Sequence, residues 1–364
     1  GDYAFSDCSG LTGSLTIPDS VTSIGINAFY NCSGFTGNLT IPNSVTSIGS
    51  QAFNNCSGFT GSLTIPNSVI SIGIEAFYNC SKLDSIICLA TTAPKLGSQV
   101  FKKTPLSRKL TIPFGSDYET WQNAITWNKT YYLIQENDTI TLESDFMITN
   151  KVGLINNGVL RIPYGKQLID TTSGVITGII EVETPILDTT KWSFVGAPFS
   201  NYKLDAIKEG TRDVAVSIFD YATGNWSNDW ATIETPVETG EGFLLWSFAN
   251  EPTVFTTDSE GDLPDYTLNN AQEITITKNL TKYQNGNWFA LANPYTFKLD
   301  ADKFIETNKI KIQGQDGIYK LNNNGEFQYI TQGEINLTEG FFVNYVSSGE
   351  QTVTFATNQR VTTA

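Results

Sequence analysis

The sequence predicts a mainly β protein, a repeat solenoid followed by antiparallel β-sandwich or barrel modules. Three observations carry that expectation. Ile17-Pro18, Ile41-Pro42 and Ile65-Pro66 recur at one constant interval, and Phe5, Phe29, Phe53 and Phe77 and Cys8, Cys32, Cys56 and Cys80 recur at the same interval. A fixed period of about 20–50 residues is the mark of a solenoid, in which each repeat buries its apolar side only against its neighbours. Short alternating runs then dominate the chain beyond residue 134, and two of its segments repeat one another loosely around Trp192 and Trp288.

Aligned by phase, a repeat reads G-x-x-A-F-x-x-C-S-x-(L/F)-x-G-x-L-T-I-P-x-S-V-x-x-I. Leu-Thr-Ile alternates as a strand does, so Leu15/Ile17, Leu39/Ile41 and Leu63/Ile65 are expected to point inward and Thr16, Thr40 and Thr64 outward. Proline ends each strand because it has no N–H for the ladder. Asp19-Ser20, Asn43-Ser44 and Asn67-Ser68 supply turns. Val21/Ile24 and their equivalents form a second short extended stretch, broken by Gly25, Gly49 and Gly73, and the Ala-Phe pair opens a helical turn. The fourth repeat is one residue short, with Ile86 in the place of Leu63 and Cys88 in the place of Ile65. Five strands are therefore expected, starting at Leu15, Leu39, Leu63, Ile86 and Leu110. Gly1 has the phase of Gly25, so further repeats or a cap are expected upstream in the natural protein.

The four column cysteines and Cys88 are expected to be reduced and buried. Metal sites need close spacing such as C-x-x-C, and the interval from Cys8 to Cys32 is far wider. Stacked side chains run parallel about 4.8 Å apart, too far for the 3.5–4.5 Å between Cβ atoms of a disulfide. Asn31, Asn55 and Asn79 each begin an Asn-Cys-Ser run and read as repeat residues, not glycosylation sites.

Composition bounds the function. The chain of 364 residues carries a net charge of −15 and no histidine. The absent histidine removes Ser-His-Asp and Cys-His catalysis and histidine metal sites. An acidic chain repels phosphate backbones, so nucleic acid is not an expected partner. No apolar run is long enough to cross a membrane as a helix, and membrane contact is expected only through an anchor outside this chain. Residues 1–81 hold only Asp2, Asp7, Asp19 and Glu75 as charged groups. The bases Lys102, Lys103, Arg108 and Lys109 then form an island that reads first as a solvated edge or inter-domain contact and second as a dock for an anionic glycan.

These repeats resemble the BspA-type leucine-rich repeats found on the surfaces of host-associated bacteria, over residues 1 to about 134. The resemblance includes the exit: Ala93-Pro94, Leu110-Thr111-Ile112-Pro113-Phe114-Gly115, then Tyr118, Ala124 and Trp127, which are similar to a C-terminal cap in which a short helix covers the open core with aromatics. It implies surface display, binding of host proteins or other cells, and no catalytic residues. The expected partners are host or bacterial surface proteins or glycans, the expected location is extracellular or on the outer surface, and no cofactor is expected.

Domains are expected at 1–134, 135–262 and 263–364, with the repeat period ending near residue 135. Trp192-Ser-Phe-Val-Gly-Ala-Pro198-Phe199 pairs with Trp288-Phe-Ala-Leu-Ala-Asn-Pro294-Tyr295, and each is followed by Lys-Leu-Asp. Ile218-Phe219 pairs with Ile318-Tyr319, Trp226 with Phe327, and Glu241-Gly242-Phe243 with Glu339-Gly340-Phe341. Each copy reads as several strands with its tryptophan in the core. The order is similar to W-x-x-x-G-x-P-(F/Y) … G-x-G-(F/Y) modules of secreted Bacteroidetes proteins, with Glu-Gly standing where those modules often show Gly-x-Gly. Helical spacing is visible only at Leu204–Lys208 and Ala301–Ile305. Asp258, Glu260 and Asp262 share a loop that reads as a solvated linker, with Ca²⁺ binding as the alternative. Trp226 and Trp230 flank polar turn residues and are candidates for sugar stacking, with module core the first reading for Trp226.

Two function classes follow. The first is a non-enzymatic surface adhesin whose recognition face is the outward row of short, uncharged side chains Ser14, Thr16, Asn38, Thr40, Ser62, Thr64 and Thr111. The second is a glycan-binding or glycan-processing surface protein acting through its β modules.

Overall fold

The computed structural model describes residues 1–104, 109–116, 118, 121, 129–149, 152–170, 176, 178–187, 190–199, 202–203, 207–208, 215–227, 236–246, 252–257, 273–280, 287–308, 317–322, 326–345 and 347–361. It divides the chain into two compact units, residues 1–136 with 149–155, and residues 137–148 with 156–364.

In the first unit the period becomes two parallel ladders. The longer one is a six-stranded sheet in the order Val152–Asn156, Lys129–Ile134, Lys109–Pro113, Ser85–Cys88, Phe59–Ile65, Gly37–Thr40. Its register is that of the sequence phase: Leu39 pairs with Leu63, Leu63 with Ile86 and Ile86 with Leu110. The other ladder joins Ser23–Ile24, Ser47–Ile48, Ser71–Ile72 and Lys95–Leu96, again in parallel. Between them Leu39, Leu63, Ile65, Leu110, Phe53, Phe59, Phe77 and Cys56 are fully buried. The glycine that ends each short strand is set by close approach. A Cβ on Gly49 would lie 2.6 Å from the backbone of Gly25, so the coils could not nest with a larger residue there.

Two expectations about this ladder are corrected. Leu15 does not begin a strand. On this side of the coil residues 11–17 meet the second coil through one isolated bridge, Gly13 to Phe35. At the far end the ladder does not stop at Leu110. Lys109–Pro113 pairs in parallel with Lys129–Ile134, Leu110 opposite Thr130, a shorter step than the template of the earlier repeats reveals.

The phenylalanine column runs through the coil as a continuous stack. Phe5, Phe29, Phe53, Phe77 and Phe101 succeed one another at 5.1–5.5 Å between ring centroids with planes within 8°. Trp121 follows Phe101 at 5.5 Å, and Tyr118 meets Trp121 edge-to-face. Tyr118 and Trp121 are thus the covering aromatics. Trp121 was not anticipated from the sequence, while Ala124 and Trp127 lie outside the described residues.

The second unit opens with more parallel pairing, which corrects the expectation that the period ends near residue 135. Ile140 of Thr139–Thr141 pairs with Leu160 of Val159–Ile162, and Leu160 with Ile180 at the start of Ile179–Ile186. These steps are as short as the one from Leu110 to Thr130. Phe146–Ile148 aligns with Leu168–Asp170 in the same parallel sense. The Gly, Cys and Phe markers are gone and the step has changed, so only short apolar alternations remain in the sequence.

The tryptophan duplication is a duplication of topology. In the first copy the strands lie in the order Ser193–Val195, Phe243–Trp246, Ala215–Asp220, Asn225–Trp226. In the second they lie in the order Asn287–Ala292, Gly340–Tyr345, Ile318–Leu321, Phe327–Ile330. Pairing is antiparallel throughout. A two-residue pair, Tyr202–Lys203 with Pro236–Val237, recurs as Leu299–Asp300 with Glu334–Ile335. An outer pair, Ile179–Ile186 with Pro252–Thr256, recurs as Ile274–Leu280 with Gly349–Phe355.

The copies diverge after the two-residue strand. The first continues in a strand, Ile207–Lys208, which corrects the helical spacing read at Leu204–Lys208. The second continues in a helix, Ala301–Asn308, as its spacing predicts. Asp300 accepts the amide of Lys303 in an N-cap arrangement. Phe304 packs against Phe341 and Phe355, and the Asn308 side chain exchanges two hydrogen bonds with the backbone of Thr354.

Candidate functional site

The outward side of the long ladder is built by strand alternation, and the structure grades it along its length. Ser14, Thr16, Asn38 and Thr40 are exposed, Ser62 and Thr64 are half-buried, and Thr111 is buried. Thr111 as an exposed contact residue is therefore corrected: it lies in register between Ile87 and Tyr131, whose larger side chains flank it. The row through Thr40 continues in register as Thr64, Ile87, Thr111 and Tyr131, so a hydroxyl surface turns into an apolar and aromatic one. Asn38 is partly structural, because its carbonyl oxygen accepts the amide of Ser62 at 2.9 Å where the pairing slips by two residues.

The turn side carries an asparagine ladder. Asn31 donates to Asp7, Asn55 to Asn31 and Asn79 to Asn55, at 2.7–2.8 Å. All four residues sit in the left-handed region, with φ between 54° and 64°. Asn and Asp tolerate that region better than other side chains, which accounts for their recurrence independently of glycosylation. Beneath them the column cysteines are free thiols, with Cys32, Cys56 and Cys80 donating to the carbonyls of Phe5, Phe29 and Phe53. Burial pushes the Cys56 thiol well above its ordinary range. Cys8 is only half-buried, a correction to the expectation that all five are buried.

The basic residues fall on different parts of the coil. Lys102 and Lys103 are exposed on the turn side, where Lys102 reaches Gln99 and Lys103 stands 5.2 Å from the centre of the Tyr78 ring. Lys109 is exposed on the strand side, and Arg108 lies outside the described residues.

In the second unit the two copies interlock reciprocally. The amide of Gly196 donates to the carbonyl of Thr338, and the amide of Ala292, its equivalent, donates to the carbonyl of Gly240, the equivalent of Thr338. Val195 bridges Glu339 as Leu291 bridges Glu241. Each glutamate closes its own turn, Glu241 accepting the amide of Glu238 and Glu339 that of Asn336. Each is also paired with a lysine, Lys278 and Lys320 respectively. The turn of the first copy is Gly240-Glu241-Gly242, so a Gly-x-Gly is present there after all, and only the second copy departs from it, with Thr338.

This interlock creates an aromatic pocket of about 490 Å³ lined by both copies. The first copy contributes Phe219, Gly224, Asn225 and Trp226, and the second contributes Trp288, Tyr319, Phe327 and Phe342. Phe219 and Tyr319 are equivalents, as are Trp226 and Phe327. Phe342 forms the hub: it stacks on Phe194 at 4.5 Å and meets Phe219, Trp226, Trp288 and Phe327 edge-to-face at 5.3–6.0 Å. Such ring pairs contribute about 0.5–1.5 kcal/mol each beyond area burial, so the frame is preorganised. The hairpin that carries Trp226 is tied by Asp220, which accepts the Thr223 hydroxyl and the amide of Ala222, and these bonds hold its carboxyl below the usual range.

Trp192, just before the strand Ser193–Val195, and Trp288, within Asn287–Ala292, are half-exposed, not core, and each lines a cavity. Trp192 lines a second cavity of about 460 Å³ with Tyr164, Lys191 and Glu339. Trp226, expected in the module core, is likewise half-exposed, and Trp230 lies outside the described residues. The sequence held a signal for the pocket in the aromatics at equivalent positions of the two copies, but not that the copies meet there.

Asp258, Glu260 and Asp262 lie outside the described residues. Among the described residues no cluster of acidic or cysteine ligands suits a metal, and no helix is long and apolar enough to cross a membrane.

Residues 1–130 match the family model of the BspA type leucine rich repeat region, in six copies. Residues 111–326 match the model of a domain of unknown function, DUF8693. No curated protein and no solved structure matches the chain. With the second match spanning more than half of its length, the chain belongs to the DUF8693 family and carries that domain behind, and overlapping with, a BspA-type leucine-rich repeat region.

Proposed function

We propose that this chain is a non-enzymatic binding protein displayed on a cell surface or exported, and that it captures a protein partner on the outward face of its repeat coil. The observation that carries the reading is the in-register row Thr40, Thr64, Ile87, Thr111 and Tyr131, with the exposed Thr16 one coil before it. Short hydroxyl side chains cost little entropy on ordering, and the apolar end offers area to bury. The BspA-type repeat supports both surface display and protein binding. The partner is a host or bacterial surface protein.

The test replaces Thr16 and Thr40, both exposed, with arginine and measures capture of a panel of matrix and bacterial surface proteins, with thermal melts alongside. Loss of capture with an unchanged melt is expected. An unchanged melt with every interaction intact would place recognition elsewhere. Because the polar end of this face is uncharged, capture should also depend weakly on salt.

A further inference from the structure

We propose that the aromatic pocket built between the two tryptophan modules binds a neutral sugar ring of a glycan. Three features of the pocket point to that chemistry. Among the described residues its lining contains no charged side chain, so a charged ligand would leave its charge without a partner there at a cost of desolvation. Its walls are ring faces and edges held open instead of collapsed: Trp226, Trp288 and Tyr319 are half-exposed and Phe327 is 55% exposed. Protein interiors close-pack such rings where they can, and here the edge-to-face frame around Phe342 keeps them apart. Finally, the same walls carry neutral polar groups. Among the described residues, the Trp226 and Trp288 indole N–H groups and the Tyr319 hydroxyl make no hydrogen bond within the protein, and the amide of Asn225 lies on the lining with only a 3.2 Å bond to the Thr223 carbonyl.

A ligand that suits all three is apolar on its faces and hydroxylated around its rim. A pyranose presents axial C–H groups to a ring face and hydroxyls at its edge. A purely aliphatic or aromatic peptide side chain would cover the ring faces but strand the N–H and O–H donors away from water. The volume lies within the ~300–1,000 Å³ of small-ligand pockets, room for a short oligosaccharide segment and not for a folded partner. Binding needs both modules, since Trp226 and Trp288 come from different copies. The inference stands independently of the recognition face proposed for the coil.

The experiment uses the full chain. Neutral di- and trisaccharides of glucose, galactose, mannose and N-acetylglucosamine are titrated with tryptophan fluorescence and ligand-observed NMR as readouts, and a short Phe/Leu peptide serves as the apolar comparison. At least one saccharide is expected to saturate the protein, with its ring C–H protons closest to the protein. Trp288→Ala should abolish this. The exposed Phe327→Ala, which removes one edge-to-face contact of Phe342, and Asn225→Ala, which removes no ring contact, should each weaken it about tenfold. The Thr16→Arg, Thr40→Arg double variant should bind the sugar as the parent does. Absence of binding by every saccharide, preference for the peptide, or sugar binding unchanged in both Phe327→Ala and Asn225→Ala would overturn the proposal.

Discussion

Gly240 and Thr338 occupy the same turn position in the two tryptophan modules, and both take a left-handed backbone, at φ +84° and +59°. Glycine accepts that conformation freely, whereas a β-branched residue is a rare occupant. The Thr338 hydroxyl is also buried without a hydrogen-bond partner among the described residues. Thr338→Gly is therefore expected to stabilise the second unit by about 1 kcal/mol, strain relief and loss of an unsatisfied hydroxyl outweighing the added entropy of the unfolded chain. Gly240→Ala is expected to destabilise by about 2 kcal/mol or more. Its Cβ would sit 2.7 Å from Ile276 Cδ1 and 3.0 Å from Phe355. Urea unfolding followed by fluorescence measures both, and effects of the same sign would contradict the turn equivalence.

The asparagine ladder permits a separation of backbone and side-chain contributions. Asn55→Gly keeps a residue suited to the left-handed turn but removes the bonds to Asn31 and Asn79. A loss of about 1–2 kcal/mol is expected for two partly buried hydrogen bonds. Asn55→Ala should cost about 1 kcal/mol more, because alanine also resists positive φ. Equal stability of the glycine variant and the parent would show that the ladder only fills a conformational requirement.

Glu183 gives a pH-dependent prediction. Burial raises its carboxyl above the ordinary value; Arg161 opposes that shift and Glu181 adds to it. Arg161 lies 2.7 Å from Glu181 and 3.8 Å from Glu183, so its stronger pairing is with Glu181. A carboxyl whose folded pKa is raised destabilises the ionised folded state. That cost is complete above the folded pKa and disappears as pH falls through it toward the unfolded value. Glu183→Gln should thus be more stable than the parent at neutral pH, with the difference vanishing below about pH 4. Thermal melts across that range test it, and a variant less stable at neutral pH would mean that Arg161 outweighs desolvation.

Much of the first unit was legible because its period is strict. One template residue fixes every equivalent: Leu39 pairs with Leu63, Phe53 stacks on Phe77, and Cys56 reaches back to Phe29. The sequence by itself determined the coil, its inward and outward faces, the free thiols and the equivalence of the two tryptophan segments. These follow from local alternation and phase, which neighbouring copies can only repeat.

Tertiary structure decided what depends on where chain segments meet. It shortened the repeat step, setting Leu110 beside Thr130 and Leu160 beside Ile180, and carried parallel pairing past residue 135, where apolar alternation alone has no phase marker. It buried Thr111 between Ile87 and Tyr131, a consequence of larger neighbours on the strands to either side. It also turned Trp226 and Trp288 from expected core into facing walls. The reason is physical: alternation tells which side of a strand a residue occupies, but only the packing of one module on the other determines whether that side is filled by protein or left open for a ligand.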